Sequence, residues 1–149
     1  MQRAFSLIEL VIVLTIVGTM AALAVPRYAN AAARYRADAA AKRVGADLEL
    51  AAVQARMLGK AVTVSFNTTN ATYSIAGVES LRHRAGGYTI DLAVEPYRCT
   101  LVSATFGASS QATYTFYGTP VSGGQVVVRS GTCTRTATLD AVSGKVTVQ

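Results

Sequence analysis

The chain has 149 residues, of which 51% are hydrophobic, and a formal net charge of +6. This length supports one modest folded core rather than several domains. With one histidine and two cysteines, a metal site of three or four ligands is not expected, and no other cofactor is expected. There is no nucleophile in a recognisable motif, no phosphate-binding glycine loop and no informative carboxylate pair, so the composition and motifs argue against an enzyme.

The first element is an apolar run of twenty-one residues from Phe5 to Val25, interrupted by one charge, Glu9. As a helix it would extend roughly 31 Å, against about 30 Å for the hydrocarbon core of a bilayer, so it predicts a membrane span. An ionised side chain in hydrocarbon costs about 2.5 to 3.5 kcal/mol and is normally paired. Glu9 therefore either has a partner on another chain or reaches water at the membrane surface.

The charges that flank this run favour one orientation of the chain. Arg3 precedes the run, whereas Arg27, Arg34 and Arg36 follow it. Positive residues tend to remain on the cytoplasmic side of a membrane. Charge alone would therefore keep the body of the chain inside the cell.

The residues from Arg3 to Leu10, RAFSLIEL, resemble the processing site of class III prepilins, the precursors of type IV pilins and of type II secretion pseudopilins. The resemblance implies that prepilin peptidase cuts between Ala4 and Phe5 and methylates the new amino terminus of Phe5. It also implies that Glu9 orders assembly by pairing with the free amine of a neighbouring subunit. The family usually has glycine before the cut, where this chain has Ala4.

The same resemblance implies a location and partners. The precursor would cross the bacterial inner membrane once with its head in the periplasm, against the charge rule, and would then enter a periplasmic or surface filament. Its partners would be prepilin peptidase, the inner membrane and other pilin or pseudopilin subunits. An ordinary single-span membrane protein that never polymerises is the alternative.

Residues 27–59 predict an amphipathic continuation of the first helix. Six apolar residues fall at the spacing of one helical face, namely Val44, Leu48, Ala51, Ala52, Ala55 and Leu58. The charged residues of this stretch, Asp47 among them, fall mostly elsewhere. Gly59 is typical of a helix end, and Pro26 predicts a kink or short interruption.

After Lys60 the apolar period changes to two, which predicts short antiparallel strands separated by glycine-rich turns. The predicted strands cover 62–66, 73–75, 90–94, 99–106, 112–117, 125–129, 132–139 and 145–148. The predicted fold class is α+β, a long N-terminal helix packed on an antiparallel β-sheet head. The predicted division is a leader at 1–4, a membrane and assembly helix at 5–26, an amphipathic helix at 27–59 and the β head at 60–149.

The strand order of the second half resembles that of pseudopilin H and of FimT-like minor pilins. The resemblance rests on the aromatic strand and turn at 114–120, the strand at 126–128 and the closing glycine-basic strand at 143–146. It implies a minor, tip-associated subunit of a type IV pilus-like filament, acting in pilus biogenesis or type II secretion.

DNA capture during uptake is the alternative function that this resemblance suggests. Phosphate binding needs several exposed basic side chains, and the candidates are Arg82, Arg84, Arg135 and Lys145. The stretch 82–84 is equally typical of a solvated loop. Most of the positive charge precedes residue 61, so we expect weak DNA binding at most.

Cys99 and Cys133 are the two cysteines, and each lies in a predicted strand. An exported head favours a disulfide between them, which would stabilise the domain by about 3 to 4 kcal/mol in the chain-entropy model. Two unpaired, partly buried thiols are the alternative.

Overall fold

The structure is a computed structural model that describes residues 6–79 and 87–149. Within these residues, one helix, α1 (Leu7–Leu58), precedes eight strands. The strands are β1 (Val62–Asn67), β2 (Thr72–Glu79), β3 (Gly87–Asp91), β4 (Thr100–Phe106), β5 (Gln111–Tyr114), β6 (Gly124–Ser130), β7 (Cys133–Leu139) and β8 (Val146–Val148). The chain divides into two compact units, which we call the N-terminal segment (to Ala32) and the head (Ala33–Gln149).

The long helix confirms the prediction from the sequence, with one difference at Pro26. Pro26 lies inside α1, and the helix continues without interruption. A proline in a helix removes one backbone donor. The residues on both sides are rich in alanine, the best helix former, so the loss of one bond does not end the helix. Its C-terminal end at Leu58 is followed by Gly59 with φ of 59°, as predicted.

The strands of the head form two four-stranded antiparallel sheets, with the orders β3-β2-β1-β5 and β4-β6-β7-β8. Phe66 connects the aromatic side chains of the core, because its ring lies 5.5 Å from that of Tyr73 and 5.5 Å from that of Phe106. Phe106 belongs to the second sheet and Phe66 to the first. The two sheets therefore share one core.

The helical part of the head buries a face of small residues. Those buried include Ala37, Ala40, Ala41, Val44, Leu48, Ala51, Ala52 and Ala55. Small side chains allow β8 to approach the helix closely: a Cβ at Gly45 would lie 3.4 Å from Val146 Cγ1. The predicted apolar face is confirmed except at its last member, since the Leu58 side chain is 48% exposed at the end of the helix.

Two predicted strands end earlier than expected. β3 stops at Asp91, whose side chain accepts a hydrogen bond from the backbone of Ala93 at 2.8 Å. Such a local bond turns the chain, so the apolar alternation of 90–94 does not continue as a strand. β5 stops at Tyr114 because Thr115 and Thr119 close a turn through a backbone hydrogen bond of 2.9 Å.

Candidate functional site: the apolar segment and the head surface

The N-terminal segment carries large apolar side chains that the chain itself leaves exposed. Leu7 is 80% exposed and Leu23 is 74% exposed. Within the described residues, α1 is the one helix whose length and composition would allow it to cross a membrane, and its most apolar window has a mean hydropathy of 2.4. These side chains therefore need a cover from outside the chain, either lipid or another protein.

Three polar side chains lie between Leu7 and Val25, and the chain satisfies two of them. The hydroxyl of Thr15 donates to the carbonyl oxygens of Ile12 and Val11, at 2.8 Å and 3.0 Å. Thr19 donates to the carbonyl oxygen of Ile16 at 2.9 Å. Such bonds to the preceding turn let a hydroxyl sit in an apolar helix.

Glu9 is the third of these polar side chains and differs from the two threonines. It lies in the first turn of α1 and is exposed. No donor for its carboxylate is found among the residues that the structure describes. The positive end of the helix dipole favours a carboxylate at this position, but an ionised group in hydrocarbon still needs a cation or water.

Four residues singled out from the sequence lie outside the described ranges. They are the two processing residues, Ala4 and Phe5, and two of the candidate DNA contacts, Arg82 and Arg84. Their roles remain predictions from the sequence.

The two remaining candidate DNA contacts are not gathered at one place. Arg135 lies opposite Val128 in the register of β7 with β6, and Lys145 directly precedes Val146, which lies opposite Leu139. Four residues along β7 separate these positions, roughly 13 Å of strand. The two side chains therefore do not form a single phosphate-binding cluster.

Arg135 is also engaged by an acidic partner. Its Nε lies 3.3 Å from Asp38 Oδ1, and Lys42 Nζ lies 2.8 Å from Asp38 Oδ2. The hydrogen bonds from Lys42 and Arg135 lower the pKa of the Asp38 carboxyl below its ordinary value. Arg135 thus connects β7 to the helix, whereas Lys145 is exposed.

The expected disulfide between Cys99 and Cys133 is not formed, and both cysteines are free thiols. Thr100 pairs with Arg129, so Cys99 comes next to Ser130, and Ser130 pairs with Cys133. Two strand spacings, about 9.5 Å, then separate the two cysteines, which exceeds the limit of about 7 Å between bridged Cα atoms. Burial raises the pKa of the Cys99 thiol, which reduces its reactivity.

Asp47 was expected with the charged residues away from the apolar face, and this is wrong, because it is 4% exposed. Its Oδ2 accepts hydrogen bonds from the Tyr73 hydroxyl at 2.6 Å and from Arg43 Nε at 3.1 Å. Its Oδ1 accepts from the Tyr88 hydroxyl at 2.8 Å, and Arg43 Nη2 donates to that hydroxyl at 2.5 Å. Burial, reinforced by the carboxylate, raises the pKa of both tyrosines.

The sequence did carry a signal for this polar cluster of Arg43, Asp47, Tyr73 and Tyr88. Asp47 lies three residues after Val44 and four before Ala51, so helical spacing places it on the buried face. A buried carboxylate requires donors, and the tyrosines of the strands were available. This cluster holds the helix of the head to β2 and β3.

Comparison with known proteins identifies the family of the chain. Residues 1–25 match the family model described as the prokaryotic N-terminal methylation motif. The chain is 36% identical to a fimbrial protein of Pseudomonas aeruginosa over 110 aligned residues. The alignment covers 73% of this chain and 71% of that protein. The chain is 31% identical over 122 residues to the type IV major fimbrial protein FimA of Dichelobacter nodosus, and that alignment covers 76% of this chain and 77% of FimA.

The fold is also that of a solved structure. The type IV minor pilin FimU of Pseudomonas aeruginosa superposes with a TM-score of 0.56 at 19% identity, over 78% of this chain and 90% of that one. In the family, the hydrophobic N-terminal helix is held first in the inner membrane and then in a filament of like subunits. The chain belongs to the type IV pilin family, whose members are structural rather than enzymatic proteins.

Proposed function

We propose that this chain is a minor subunit of a type IV pilus-like filament, made as a membrane-held precursor and processed between Ala4 and Phe5. One observation carries the proposal. The described part of the N-terminal segment leaves its large apolar side chains exposed, and Glu9 is the one charge among them. A surface of this kind is compatible first with lipid and then with the same segments of neighbouring subunits.

Glu9 gives the proposed assembly its direction. Its carboxylate has no donor among the described residues of its own chain, and pairing lowers the cost of a charge in an apolar surrounding. The methylated amine of Phe5 on a neighbouring subunit would supply the opposite charge. Pairing between subunits would then select one axial position for each incoming chain.

Substitution of Glu9 tests this role. Glu9→Ala should leave the chain in the membrane fraction, because the change removes a charge from an apolar segment, and should reduce its recovery in sheared filaments by at least tenfold. Thr15→Ala is the matched control, because that hydroxyl is bonded within its own helix, and it should assemble normally. Assembly of Glu9→Ala at the level of the parent would contradict the proposed role.

Processing can be tested separately from assembly. Mass spectrometry of the mature protein should find a chain that begins at N-methylated Phe5. Ala4→Gly should be cut at least as fast as the parent, because the family usually has glycine there. An intact Met1 in filament-competent protein would contradict the proposal.

The minor role is the finer part of the proposal. The fold of a protein described as a minor pilin and the strand order of pseudopilin H and FimT-like proteins support it, whereas relatives described as a major fimbrial protein point the other way. Quantitative mass spectrometry of sheared filaments should find this chain as a small fraction of the subunits. A dominant fraction would make it the major subunit, and enrichment only with a secretion apparatus would make it a pseudopilin.

DNA capture is the alternative function. Of its described candidates, Lys145 is exposed and Arg135 is paired with Asp38, which supports weak binding at most. Anisotropy titration with duplex DNA at near-physiological salt should find no low-micromolar complex. A low-micromolar complex that is lost when Arg82, Arg84 and Lys145 are replaced together would make DNA capture the main function.

A further inference from the structure

Three arginines lie at the end of the head where its part of the helix begins. The turn between β6 and β7 lies against the helix, since a Cβ at Gly131 would be 3.5 Å from Ala33 Cβ. Arg34 and Arg36 follow on the helix, and Arg129 is an exposed residue of β6 just before the turn. We call Arg34, Arg36 and Arg129 the arginine cluster.

Other basic residues at this end already have acidic partners. Arg98 precedes Cys99, and its Nε lies 2.6 Å from Glu95 Oε1. The Asp38 carboxylate accepts hydrogen bonds from Lys42 and Arg135, as described above. Among the side chains that the structure describes, no carboxylate lies within 4.0 Å of a charged nitrogen of the arginine cluster. Six basic groups face two acidic ones here, a net charge of +4, and the three cluster arginines are not neutralised.

Arg36 belongs to the same neighbourhood as the 98–99 turn. Its positive charge is close enough to Cys99 to act against the burial that raises the pKa of that thiol. The hydroxyl of Ser130 donates to the carbonyl oxygen of Arg98 at 3.4 Å, which joins the same turn to the end of β6. The start of the head's helix, the 98–99 turn and the end of β6 therefore lie at one end of the head, and their arginines lie at this end on different faces.

The length of the chain limits how far this end lies from the membrane. Ala33 follows Val25 by eight residues, which span about 12 Å as a helix and at most about 28 Å when extended. The headgroup layer adds roughly 5 to 8 Å outside the hydrocarbon core. While the apolar run spans the bilayer, the arginine cluster is therefore within reach of the lipid headgroups.

We propose that the arginine cluster binds the phosphates of anionic lipid headgroups and holds the head at the membrane surface before assembly. The proposal rests on the membrane-held precursor of the proposed function. Arginine forms two parallel hydrogen bonds to a phosphate, and basic residues next to a membrane segment are attracted to anionic lipid. The position favours lipid over DNA, because the cluster lies at the end that begins closest to the apolar run. It also assigns a use to the basic residues that follow that run.

The full chain in lipid nanodiscs provides the test. Hydrogen exchange of backbone amides in the β6–β7 turn and in 93–99 is compared between discs of phosphatidylcholine and discs that also contain phosphatidylglycerol. We expect at least threefold slower exchange in the anionic discs, an effect that high salt removes. Arg34→Gln, Arg36→Gln and Arg129→Gln together should abolish the difference.

A matched triple variant controls for total charge. Arg56→Gln, Lys60→Gln and Lys145→Gln remove three charges from the far end of the helix and from the loop before β8, and should keep the protection. Circular dichroism should show that both triple variants are folded. Both sets of residues lie outside the polar cluster around Asp47, so folding should survive.

Each outcome decides between explanations. Equal exchange in the two kinds of disc, with the chain inserted, would overturn the lipid proposal and leave the pilin function intact. Failure of the chain to enter discs would overturn both. Protection by duplex DNA, but not by anionic lipid, that depends on the same three arginines would make the cluster a nucleic-acid site instead.

Discussion

The N-terminal segment and the helical part of the head have opposite relations to their surroundings, although both are rich in apolar residues. The segment exposes leucine, isoleucine and valine, whereas the head buries alanines such as Ala37 and Ala40 against its sheets. Large exposed side chains give a wide contact surface to lipid or to other subunits. Small buried ones let strands approach the helix. Hydropathy thus indicates that a surface must be covered, but not what covers it.

The two acidic residues on these helical surfaces differ in the same way. Glu9 has no donor in the described part of its own chain, whereas Asp47 has three donor groups in the head. The Glu9 carboxylate thus lacks a donor among the described residues, whereas the Asp47 carboxylate is already satisfied. Substitutions can test this difference directly.

The largest effect is expected at Asp47. Asp47→Ala removes the acceptor from the buried Tyr73 hydroxyl and from Tyr88 and Arg43. A buried donor without a partner costs about 1 to 3 kcal/mol, so the free energy of unfolding should fall by about 3 kcal/mol. Urea unfolding of the full chain in detergent, followed by circular dichroism, measures it. Glu9→Ala is the contrasting variant and should leave this value unchanged, whereas equal losses in the two variants would remove the distinction.

The next effect concerns the contact between the head's helix and the turn after β5. Gly118 has φ of 75°, and a Cβ there would lie 2.6 Å from the carbonyl oxygen of Ala52. Gly77 has φ of 80° with open space around it, so it is a matched control for the backbone conformation. Gly118→Ala should cost about 2 kcal/mol more than Gly77→Ala, because overpacking adds to the strain. Equal costs in urea unfolding would contradict the close contact.

A third effect depends on pH. The pKa of Tyr73 is raised in the folded head, so the folded state holds this proton more tightly than the unfolded state does. The stabilisation that this proton gives the folded state is complete below the ordinary tyrosine pKa of about 10. Above that pH it is lost, and the free energy of unfolding falls by about 1.4 kcal/mol per pH unit. Urea unfolding between pH 9 and 11 measures the slope. The pKa values of Tyr88, Tyr114 and Cys99 are raised as well, so these groups add to the measured slope. Tyr73→Phe should lower the slope by at most about 1.4 kcal/mol per pH unit without abolishing it, whereas an unchanged slope would contradict the assignment.

The smallest effect is expected from reducing agents. Because Cys99 and Cys133 are free, a reductant should leave the unfolding free energy unchanged, whereas a bridge would contribute about 3 to 4 kcal/mol. Thiol titration of the denatured protein should find two thiols. In the folded protein Cys133 should react first, since Cys99 is buried. One bridge and no thiol would contradict the strand register.

Much of the architecture could be predicted from local patterns. The long helix, its end at Gly59, the buried face from Val44 to Ala55 and the antiparallel strands follow from periodicity and turn residues. The features that could not be predicted depend on pairing between distant strands. The two-sheet arrangement and the separation of Cys99 from Cys133 across β6 are set by register, which the cysteine positions in the sequence do not reveal.

Less of the candidate site than of the fold could be predicted, and the roles of Ala4, Phe5 and Glu9 stay predictions. The motif from Ala4 to Glu9 identified the family from a few residues, because its chemistry is local. The pairing of Arg135 was harder to predict, since its partner Asp38 lies 97 residues earlier in the sequence. Asp47 could have been found from helical spacing alone, had its position between Val44 and Ala51 outweighed its charge.

The polar cluster around Asp47 also has a geometric consequence. Moving a helix along its axis by one residue shifts it about 1.5 Å and turns it about 100°, and a face of alanines alone would offer little resistance to such a screw motion. Here any such step would carry the carboxylate away from Tyr73 and Tyr88 and into apolar surroundings. The cluster therefore selects a single azimuth for the helix of the head. It thereby fixes the direction in which exposed side chains such as Tyr35, Val53 and Met57 point from the surface of the head.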